Sequence, residues 1–346
     1  MRRRALLTGA LALAAALRLA WVIGSAGASF DRRHHCGEGT DRNVEAGHAL
    51  LHGLPHERVF WSMPAQTAAN ALMCRRSRPA EVLAAPAAAL LLNGLLVFGL
   101  GALLAGGTAG AAALALYAWI SVPAHAFNDR WLFTTSLLLV AFLAVWRARA
   151  PSTRKTALLA AAVGFSLNVL SVLFLLPPLL ALREWLARGR PRPQRLKNAA
   201  LLLVVPWLFL LPWALASGTF RETGRSDANV IGGALGLTLT MGPGDERALA
   251  GIAPGESVLT WAAAEVARHP LRYLHAVARR FLFASSLQPL LLLLAAFAAL
   301  PLRRRRPGRT ELGLLILYYL GLHCLMPVEE RYFTSLWPLA AAAAAG

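Results

Sequence analysis

The chain has 346 residues, of which 57% are hydrophobic, and its mean hydropathy is +0.52. A soluble domain has an apolar share of about 45–50%, so this composition excludes an ordinary soluble protein. The formal net charge of +18 would suggest nucleic-acid binding in a soluble chain, but the positions of the charges give another explanation.

The apolar residues are concentrated in long uncharged runs. A bilayer core about 30 Å thick requires roughly 20 mostly apolar helical residues for each crossing, and several runs with their flanks supply that length. They include Ala5–Leu17, Val82–Leu104, Leu201–Ala216 and Leu287–Leu302. The sequence therefore predicts an all-α polytopic membrane protein, with a single transmembrane domain over residues 1–346 and about ten transmembrane helices.

The basic residues indicate which segments face the cytoplasm. Four segments, Arg2–Arg4, Arg147–Lys155, Arg183–Lys197 and Arg303–Arg309, contain 18 Lys and Arg and one acidic residue, Glu184, and Glu311 follows the last of them. The rest of the chain is nearly neutral. Because cytoplasmic loops are enriched in Lys and Arg, these four segments are predicted to be cytoplasmic, and nucleic-acid binding becomes unnecessary as an explanation.

In chain order, the first span is predicted at about Ala5–Ser25, and it resembles an uncleaved signal anchor. A hydrophilic extracytoplasmic loop follows over residues 26–80. Two spans, at Glu81–Leu104 and Ala109–Ala124, are joined by a short turn at Gly106–Gly107. After a brief outer connection, a fourth span is predicted at Trp131–Trp146.

The next apolar run, residues 156–182, has strongly basic flanks on both sides, so both of its ends should be cytoplasmic. Its 27 residues are too few for two full spans. We predict a short membrane hairpin hinged near Asn168, Val169 and Ser171, with the backbone of the hinge buried in protein or lining a polar cavity.

The second extracytoplasmic loop is predicted over residues 217–280, after a span at about Asn198–Ala216. Its glycine-rich first part is expected to be irregular, and helices are expected at Glu256–Arg268 and from Pro270 through Arg280. Both outer loops are thus predicted to carry amphipathic helices. Spans at Phe281–Leu302 and Glu311–Pro327 and a final run to Gly346 would leave both termini in the cytoplasm.

Polar residues of the first loop are candidates for chemistry. Asp41 precedes an amphipathic stretch, where it could cap the helix or act as a functional carboxylate. His48 and His52 are four residues apart and could bind a metal together with Glu45, but no fourth ligand is evident and no metal site is predicted. Cys36 and Cys74 lie in the same loop, and an oxidising compartment would permit a disulfide, which the sequence alone leaves open.

Six motifs follow one another along the chain. The first is Asp41 leading into a helix that ends Leu50-Leu51-His52-Gly53. The others, in chain order, are Asn128-Asp-Arg-Trp-Leu-Phe at the start of a span, the hairpin at 156–182, Leu211-Pro-Trp213 before a glycine-rich stretch, His269-Pro270 with Arg272-Tyr273, and Glu330-Arg-Tyr332 with Leu336 and Pro338. In this order they resemble the motifs of the GT-C glycosyltransferases, a superfamily of polyprenyl-phosphate-sugar-dependent membrane enzymes that includes protein mannosyltransferases and lipid A aminoarabinose transferases.

The resemblance implies a hexosyl- or pentosyltransferase of the cell envelope, in a bacterial inner (cytoplasmic) membrane, with its active site extracytoplasmic. Its donor would be a polyprenyl-phosphate sugar, and its acceptor a lipid, glycan or protein that is not yet known. Asp41 is the expected general base and Asp129 a second catalytic carboxylate. The expected substrate-binding residues, several of them suited to a phosphate, are Arg331, Tyr332, Glu330, Arg130 and Arg272.

The chain also departs from the family pattern. The usual Asp-Glu of the first loop is Asp41-Arg42 here, the Arg-Pro of the hairpin is Asn168-Val169, and the Arg-Asn after Pro-Trp is Ala214-Leu215. These changes leave a second hypothesis open: a non-catalytic protein that binds or transports lipid-linked substrates, or a structural membrane protein of envelope assembly. Membrane lipids are partners in both hypotheses, neither requires a cofactor, and a divalent metal is unsupported.

Overall fold

The computed structural model describes residues 2–28, 36, 42–54, 59–60, 63–75, 78–121, 152–169, 171–187, 189–218, 220, 226–240, 246–253, 255–299 and 309–345. The fold is all-helical in these segments. The β-pairing among them is an isolated parallel bridge between Leu239 and Val328. The predicted fourth span, Trp131–Trp146, lies outside the described residues, as do the connection before it and most of the Arg303–Arg309 turn.

The helices of the first half begin with a long apolar helix and two shorter helices of the first hydrophilic loop. In chain order they are α1 (Arg2–Ala28), α2 (Arg42–His52), α3 (Pro64–Cys74), α4 (Pro79–Ala105), α5 (Gly107–Leu116), α6 (Thr153–Leu167) and α7 (Leu176–Leu186). A π-helical turn, Tyr117–Ser121, continues α5, and a 3₁₀ segment, Ser171–Leu175, precedes α7.

The second half begins with another long apolar helix. Its helices are α8 (Arg192–Ser217), α9 (Ser226–Ala234), α10 (Glu246–Leu249), α11 (Val258–Arg268), α12 (Pro270–Leu287), α13 (Pro289–Ala299), α14 (Arg309–Cys324) and α15 (Trp337–Ala345). A 3₁₀ turn, Glu330–Phe333, lies between the last two.

Three helices in the described part of the chain are long and apolar enough to cross a membrane, within α1, α4 and α8. A fourth crossing results if the bent pair α12 and α13 is counted as one span. The prediction of about ten crossings is therefore not confirmed. Shorter apolar helices at Gly107–Ile120 and Leu312–Cys324 fall where spans were predicted, but they lack the length for a straight crossing.

The turn between α4 and α5 falls at Gly106, where the sequence predicts it. Gly106 has φ +92°, a conformation that L side chains rarely adopt. Beyond this turn the two helices approach closely. A Cβ on Gly110 would lie 2.6 Å from the carbonyl oxygen of Phe98, and one on Gly101 would lie 2.8 Å from that of Ala109. Glycines at both positions therefore set the helix separation.

The run at 156–182 forms two helices, α6 and α7, and not one continuous helix. Helix α6 ends at Leu167, and the Asn168 side chain donates a hydrogen bond to the carbonyl of Gly164, 2.9 Å away. Both α6 and α7 pack against α8. The chain break thus lies at the hinge that was predicted near Asn168.

The second hydrophilic loop is more helical than predicted. Gly232 and Gly233, which were expected in irregular structure, lie within α9. Helix α12 does not end at Arg280 but continues to Leu287, and the chain then bends by 95° into α13. The predicted span Phe281–Leu302 is therefore interrupted by a bend after Leu287. Gln288-Pro289 explains the bend, because proline clashes with the preceding turn of a continuing helix.

The final run packs in the interior of the helix bundle. Helix α15 contacts α4, α5, α13 and α14, and Ala340, Ala341 and Ala342 are fully buried. Because alanine side chains are small, several helices can approach α15 at once.

Candidate functional site

The first hydrophilic loop forms a packed helix pair, α2 with α3, which we call the first-loop pair. The helices are in contact at Gly47, where a Cβ would lie 2.5 Å from Cβ of Asn70 and 2.9 Å from the amide nitrogen of Ala71. A disulfide joins Cys36 to Cys74, with their Cα atoms 5.5 Å apart. The question that the sequence left open is thus resolved in favour of pairing.

Helix α3 carries a buried polar row formed by Gln66, Thr67 and Asn70. The Gln66 side-chain amide donates to Oδ1 of Asn70 over 3.3 Å, and the Thr67 hydroxyl donates to the carbonyl of Met63 over 3.2 Å. These bonds satisfy the Gln66 amide nitrogen and the Thr67 hydroxyl, whereas Oε1 of Gln66 is buried without a hydrogen-bond partner among the described residues.

Phe60 lies before α3 and Ala65 lies at its start. Each contacts another motif-bearing segment of the chain. The amide of Ala65 donates to the carbonyl of Asn168 over 3.0 Å, at the hinge between α6 and α7. The ring of Phe60 meets that of Trp213 edge to face, with centroids 4.5 Å apart. The first loop, the hinge and the Pro-Trp segment of α8 therefore converge on one end of the bundle.

A second assembly, which we call the corner assembly, consists of α9 with residues 235–240, α12, the end of α14 and residues 325–333. The amide of Val328 donates to the carbonyl of Thr238 over 3.0 Å, beside the Leu239–Val328 bridge. This pairing joins the glycine-rich stretch of the second loop to the late corner, although the two are about 90 residues apart in sequence.

The carboxylate of Glu329 is the acceptor at the centre of the corner. Its Oε1 accepts hydrogen bonds from the hydroxyl of Thr240, 2.6 Å away, and from the hydroxyl of Tyr332, 3.3 Å away. Tyr332 also stacks on the buried ring of His323, with centroids 5.5 Å apart. The hydroxyl of Tyr319 donates to the Tyr332 carbonyl over 3.1 Å, so this tyrosine is held at both ends.

The largest fully buried side chain of the described residues is a cation, Arg280. Its Nε donates to the carbonyl of Leu237 over 2.7 Å, and its Nη2 to that of Gly233 over 3.2 Å. Its Nη1 faces the carbonyls of Cys324 and Leu325, at 3.4 and 3.0 Å. The helix ends of α9 and α14 leave such carbonyls without intrahelical donors, and a cation there is favourable.

The predicted site residues divide between described and undescribed parts of the chain. Asp41, Asp129 and Arg130 lie outside the described residues, although Asp41 is the residue before the first of α2. The backbone of Arg331 is described but its side chain is not. Glu330 is exposed on the 3₁₀ turn, and Tyr332 is held by Glu329 as described above.

Arg272 is engaged with a neighbouring helix. Its Nη2 donates to Oε1 of Glu265 on α11 over 2.6 Å and to the carbonyl of Ala234 over 3.3 Å. The hydrogen bond from Arg272 lowers the pKa of Glu265 below its ordinary value, outweighing the opposing effect of burial. Arg272 therefore links α11, α9 and α12, and its role in substrate binding stays a prediction.

The predicted weak metal ligands lie on one face of α2. The rings of His48 and His52 are 4.2 Å apart between centroids. Within the described segments, no group of three or more His, Cys, Asp or Glu side chains could hold a metal ion.

Sequence reasoning missed Arg280, Glu265 and Glu329. Arg280 was taken as the end of a loop, whereas a basic residue on the otherwise apolar face of α12 was the available signal. Glu329 was passed over for its neighbour Glu330, because sequence alone does not show which of two adjacent carboxylates turns inward. No family model, curated protein or solved structure matches this chain.

Proposed function

We propose that the protein is a GT-C-like membrane glycosyltransferase that moves a sugar from a polyprenyl phosphate to an extracytoplasmic acceptor. The observation that carries the proposal is the convergence of three motif-bearing segments: the first loop, the hinge at Asn168 and the Pro-Trp segment. They meet through the Ala65–Asn168 hydrogen bond and the Phe60–Trp213 ring contact. This convergence is the arrangement that the proposed site requires.

The proposed topology has about ten crossings, both termini in the cytoplasm of a bacterial cell, and both hydrophilic loops outside. Two features support it. The basic segments fall on one side of this threading, as the positive-inside rule requires. The Cys36–Cys74 disulfide lies in the first loop, and disulfides persist in oxidising compartments such as the periplasm.

The proposed reaction is an inverting displacement. Asp41 accepts the proton of the acceptor hydroxyl, the hydroxyl oxygen attacks the anomeric carbon, and the bond from that carbon to the phosphate oxygen breaks. The polyprenyl phosphate leaves with the bonding electrons. The donor carries its own leaving group, so no nucleotide site is needed.

The developing charge on the phosphate requires cations, and guanidinium groups suit it because they can form two parallel hydrogen bonds. Arg331 and Arg130 are the first candidates. Arg272 would have to break its hydrogen bond to Glu265 before it could bind a phosphate, so we rank it below Arg331 and Arg130 as a phosphate-binding candidate. Asp129, Glu330 and Tyr332 complete the proposed site as a second carboxylate and acceptor-binding groups.

The test is sugar transfer by the purified protein in lipid vesicles, with a panel of polyprenyl-phosphate sugars and detection of products by mass spectrometry. Asp41→Asn removes the base and should lower transfer by about 10²-fold or more. Asp31→Asn removes another aspartate of the same loop and should leave transfer within about twofold of the unmodified protein, since Asp31 has no assigned role in the transfer.

Two outcomes would count against the proposal. Unchanged transfer by the Asp41→Asn variant would remove Asp41 as the base. Binding of polyprenyl phosphates without transfer from any donor would favour the non-catalytic binding or transport hypothesis.

A further inference from the structure

Helix α12 has two opposite faces with different surroundings. One face packs on the corner assembly through Ala276, Arg280 and Ala284, which are all buried. The other face is apolar and exposed, with Leu271 79%, Leu274 61% and Leu282 67% exposed. Apolar side chains exposed along a whole helix face indicate a missing apolar neighbour.

The direction of the helix identifies that neighbour. Helix α12 lies at 95° to α13, which is the most uniformly apolar stretch of the second half and a candidate for the start of a crossing. If α13 runs along the bilayer normal, α12 lies nearly in the membrane plane. Its buried face meets residues 233–237 of the second hydrophilic loop and the end of α14, and its exposed leucine face lies on the opposite side, towards the bilayer.

Charge supports the same placement. Arg279 is exposed at one edge of the leucine face, and the exposed His275 lies between this edge and Leu282, while the opposite edge carries Val277 and Phe281. In a vertical helix these basic groups would lie in the hydrocarbon, which is costly. In an in-plane helix they lie at the level of the lipid headgroups, where a cation is attracted to phosphate.

We propose that α12 is an in-plane membrane-surface helix, with Leu271, Leu274 and Leu282 inserted among the outer acyl chains and Arg279 bound to anionic lipid headgroups. The occupant of the exposed face is thus the lipid surface itself. This inference depends on the geometry of α12 and α13 and does not depend on the chain being a transferase.

Spin labels can measure the depth of the helix directly. Leu271→Cys, Ala278→Cys and Leu282→Cys place labels on the same exposed face, seven and four residues apart in that order. The native cysteines form a disulfide or, in Cys324, are buried, so labelling of the unmodified protein gives the background. The labelled proteins are reconstituted in phosphatidylcholine vesicles containing phosphatidylglycerol, and depth is taken from relaxation by oxygen and by a water-soluble nickel complex.

An in-plane helix predicts that the three labels lie at one depth, within about 5 Å, and collide with oxygen more than with nickel. A helix crossing the membrane predicts a gradient of about 16 Å from position 271 to position 282, at 1.5 Å per residue. A gradient would overturn the proposal, as would strong nickel access at all three positions. Labels immobilised and shielded from both reagents would show protein on this face and would also overturn it.

The headgroup contact has its own readout. Spin-labelled phosphatidylglycerol should show a larger motionally restricted fraction around the protein than spin-labelled phosphatidylcholine, and Arg279→Gln should reduce that excess by about half. Arg247→Gln, which changes an arginine distant in sequence on α10, is the matched control and should leave the excess unchanged. An excess that Arg279→Gln does not reduce would overturn the proposed role of Arg279.

Discussion

The first-loop pair and the corner assembly are both built on hydrophilic loops, but different forces hold them together. The first-loop pair is closed by the Cys36–Cys74 disulfide and by the close contact at Gly47. In the corner assembly a buried guanidinium, Arg280, donates to carbonyls at two helix ends, beside the Val328–Thr238 and Thr240–Glu329 hydrogen bonds. A covalent link restricts the unfolded chain, whereas the cation acts only when four carbonyls have been brought together.

The difference also predicts how the packing of each region should respond when its main contact is removed. The disulfide keeps α3 tethered to the start of its loop even when the helix contacts are weakened. The corner assembly has no such tether among the described residues, so loss of Arg280 should release α9 and the end of α14 together. Cys324 lies at this joint as a buried thiol, which makes its reactivity a direct probe of the corner.

The largest expected effect is that of Arg280→Met. The substitution keeps an apolar stem but removes the guanidinium donors to the carbonyls of Gly233, Leu237 and Leu325. The carbonyls of Gly233 and Leu325 keep the Gly236 amide and the Tyr273 hydroxyl as donors. Since each hydrogen bond to a charged group contributes about 1.5–3 kcal/mol, a loss of roughly 3 kcal/mol or more is expected. The measurement is the midpoint of thermal unfolding in detergent, followed by reaction of Cys324 with a thiol-reactive fluorophore.

The neighbouring exposed residue supplies the control for that experiment. Arg279→Gln should leave the midpoint nearly unchanged, because surface substitutions usually change stability by less than about 0.5 kcal/mol. Equal behaviour of the two variants would mean that Arg280 does not close the corner.

Removal of the disulfide should have the next largest effect. Cys36→Ser combined with Cys74→Ser opens a loop with a sequence separation of 38 residues. The loop-entropy relation gives a stabilisation of roughly 3–4 kcal/mol for a loop of this length. We expect a lower unfolding midpoint by circular dichroism but no early reaction of Cys324, because the corner assembly does not depend on this link. Early reaction would show that the two regions are coupled and would break the comparison.

A smaller effect is expected from Gly47→Ala. The added Cβ would meet Cβ of Asn70 at 2.5 Å and the backbone of Ala71 at 2.9 Å, so α2 and α3 must move apart. Overpacking of this kind costs about 1–3 kcal/mol. Gly24→Ala in α1 is the matched control, because its Cβ would meet nothing within 4 Å. It should be neutral or stabilising by up to about 1 kcal/mol, and similar losses in both variants would argue against a tight contact at Gly47.

The same two regions show which structural features can be predicted from the sequence. Residue type and spacing were sufficient to predict an all-helical membrane protein, the turn at Gly106 and the chain break near Asn168, since these depend on local conformation and hydropathy. The role of Arg280 depends on where distant carbonyls lie, which no local pattern encodes. The bend after α12 coincides with a local signal, Pro289, which the predicted span Phe281–Leu302 did not take into account. At the candidate site, the sequence does not show which of the adjacent Glu329 and Glu330 side chains points inward, because this depends on the conformation of the turn.

The smallest predicted effect concerns the ion pair beside the corner assembly. Glu265 is 14% exposed and accepts a hydrogen bond from Arg272, with Arg268 and His269 also nearby, at 3.7 and 3.9 Å. This hydrogen bond lowers the pKa of Glu265 in the folded protein. The pair therefore contributes stability at pH values above the ordinary pKa of a glutamate, and this contribution is lost as the pH falls through the lowered value.

Amide hydrogen exchange of α11 would measure this loss, because the pair joins α11 to α12. Protection of α11 should fall as the pH is lowered into the acid range, after correction for the intrinsic exchange rate. Glu265→Gln should show weaker protection at neutral pH and lack this acid-dependent step, while α4, which is distant from the pair in sequence, should keep its protection in both proteins. An acid step of equal size in the variant would assign the loss to other carboxylates, and the corner assembly would then be held by Arg280 without support from Glu265.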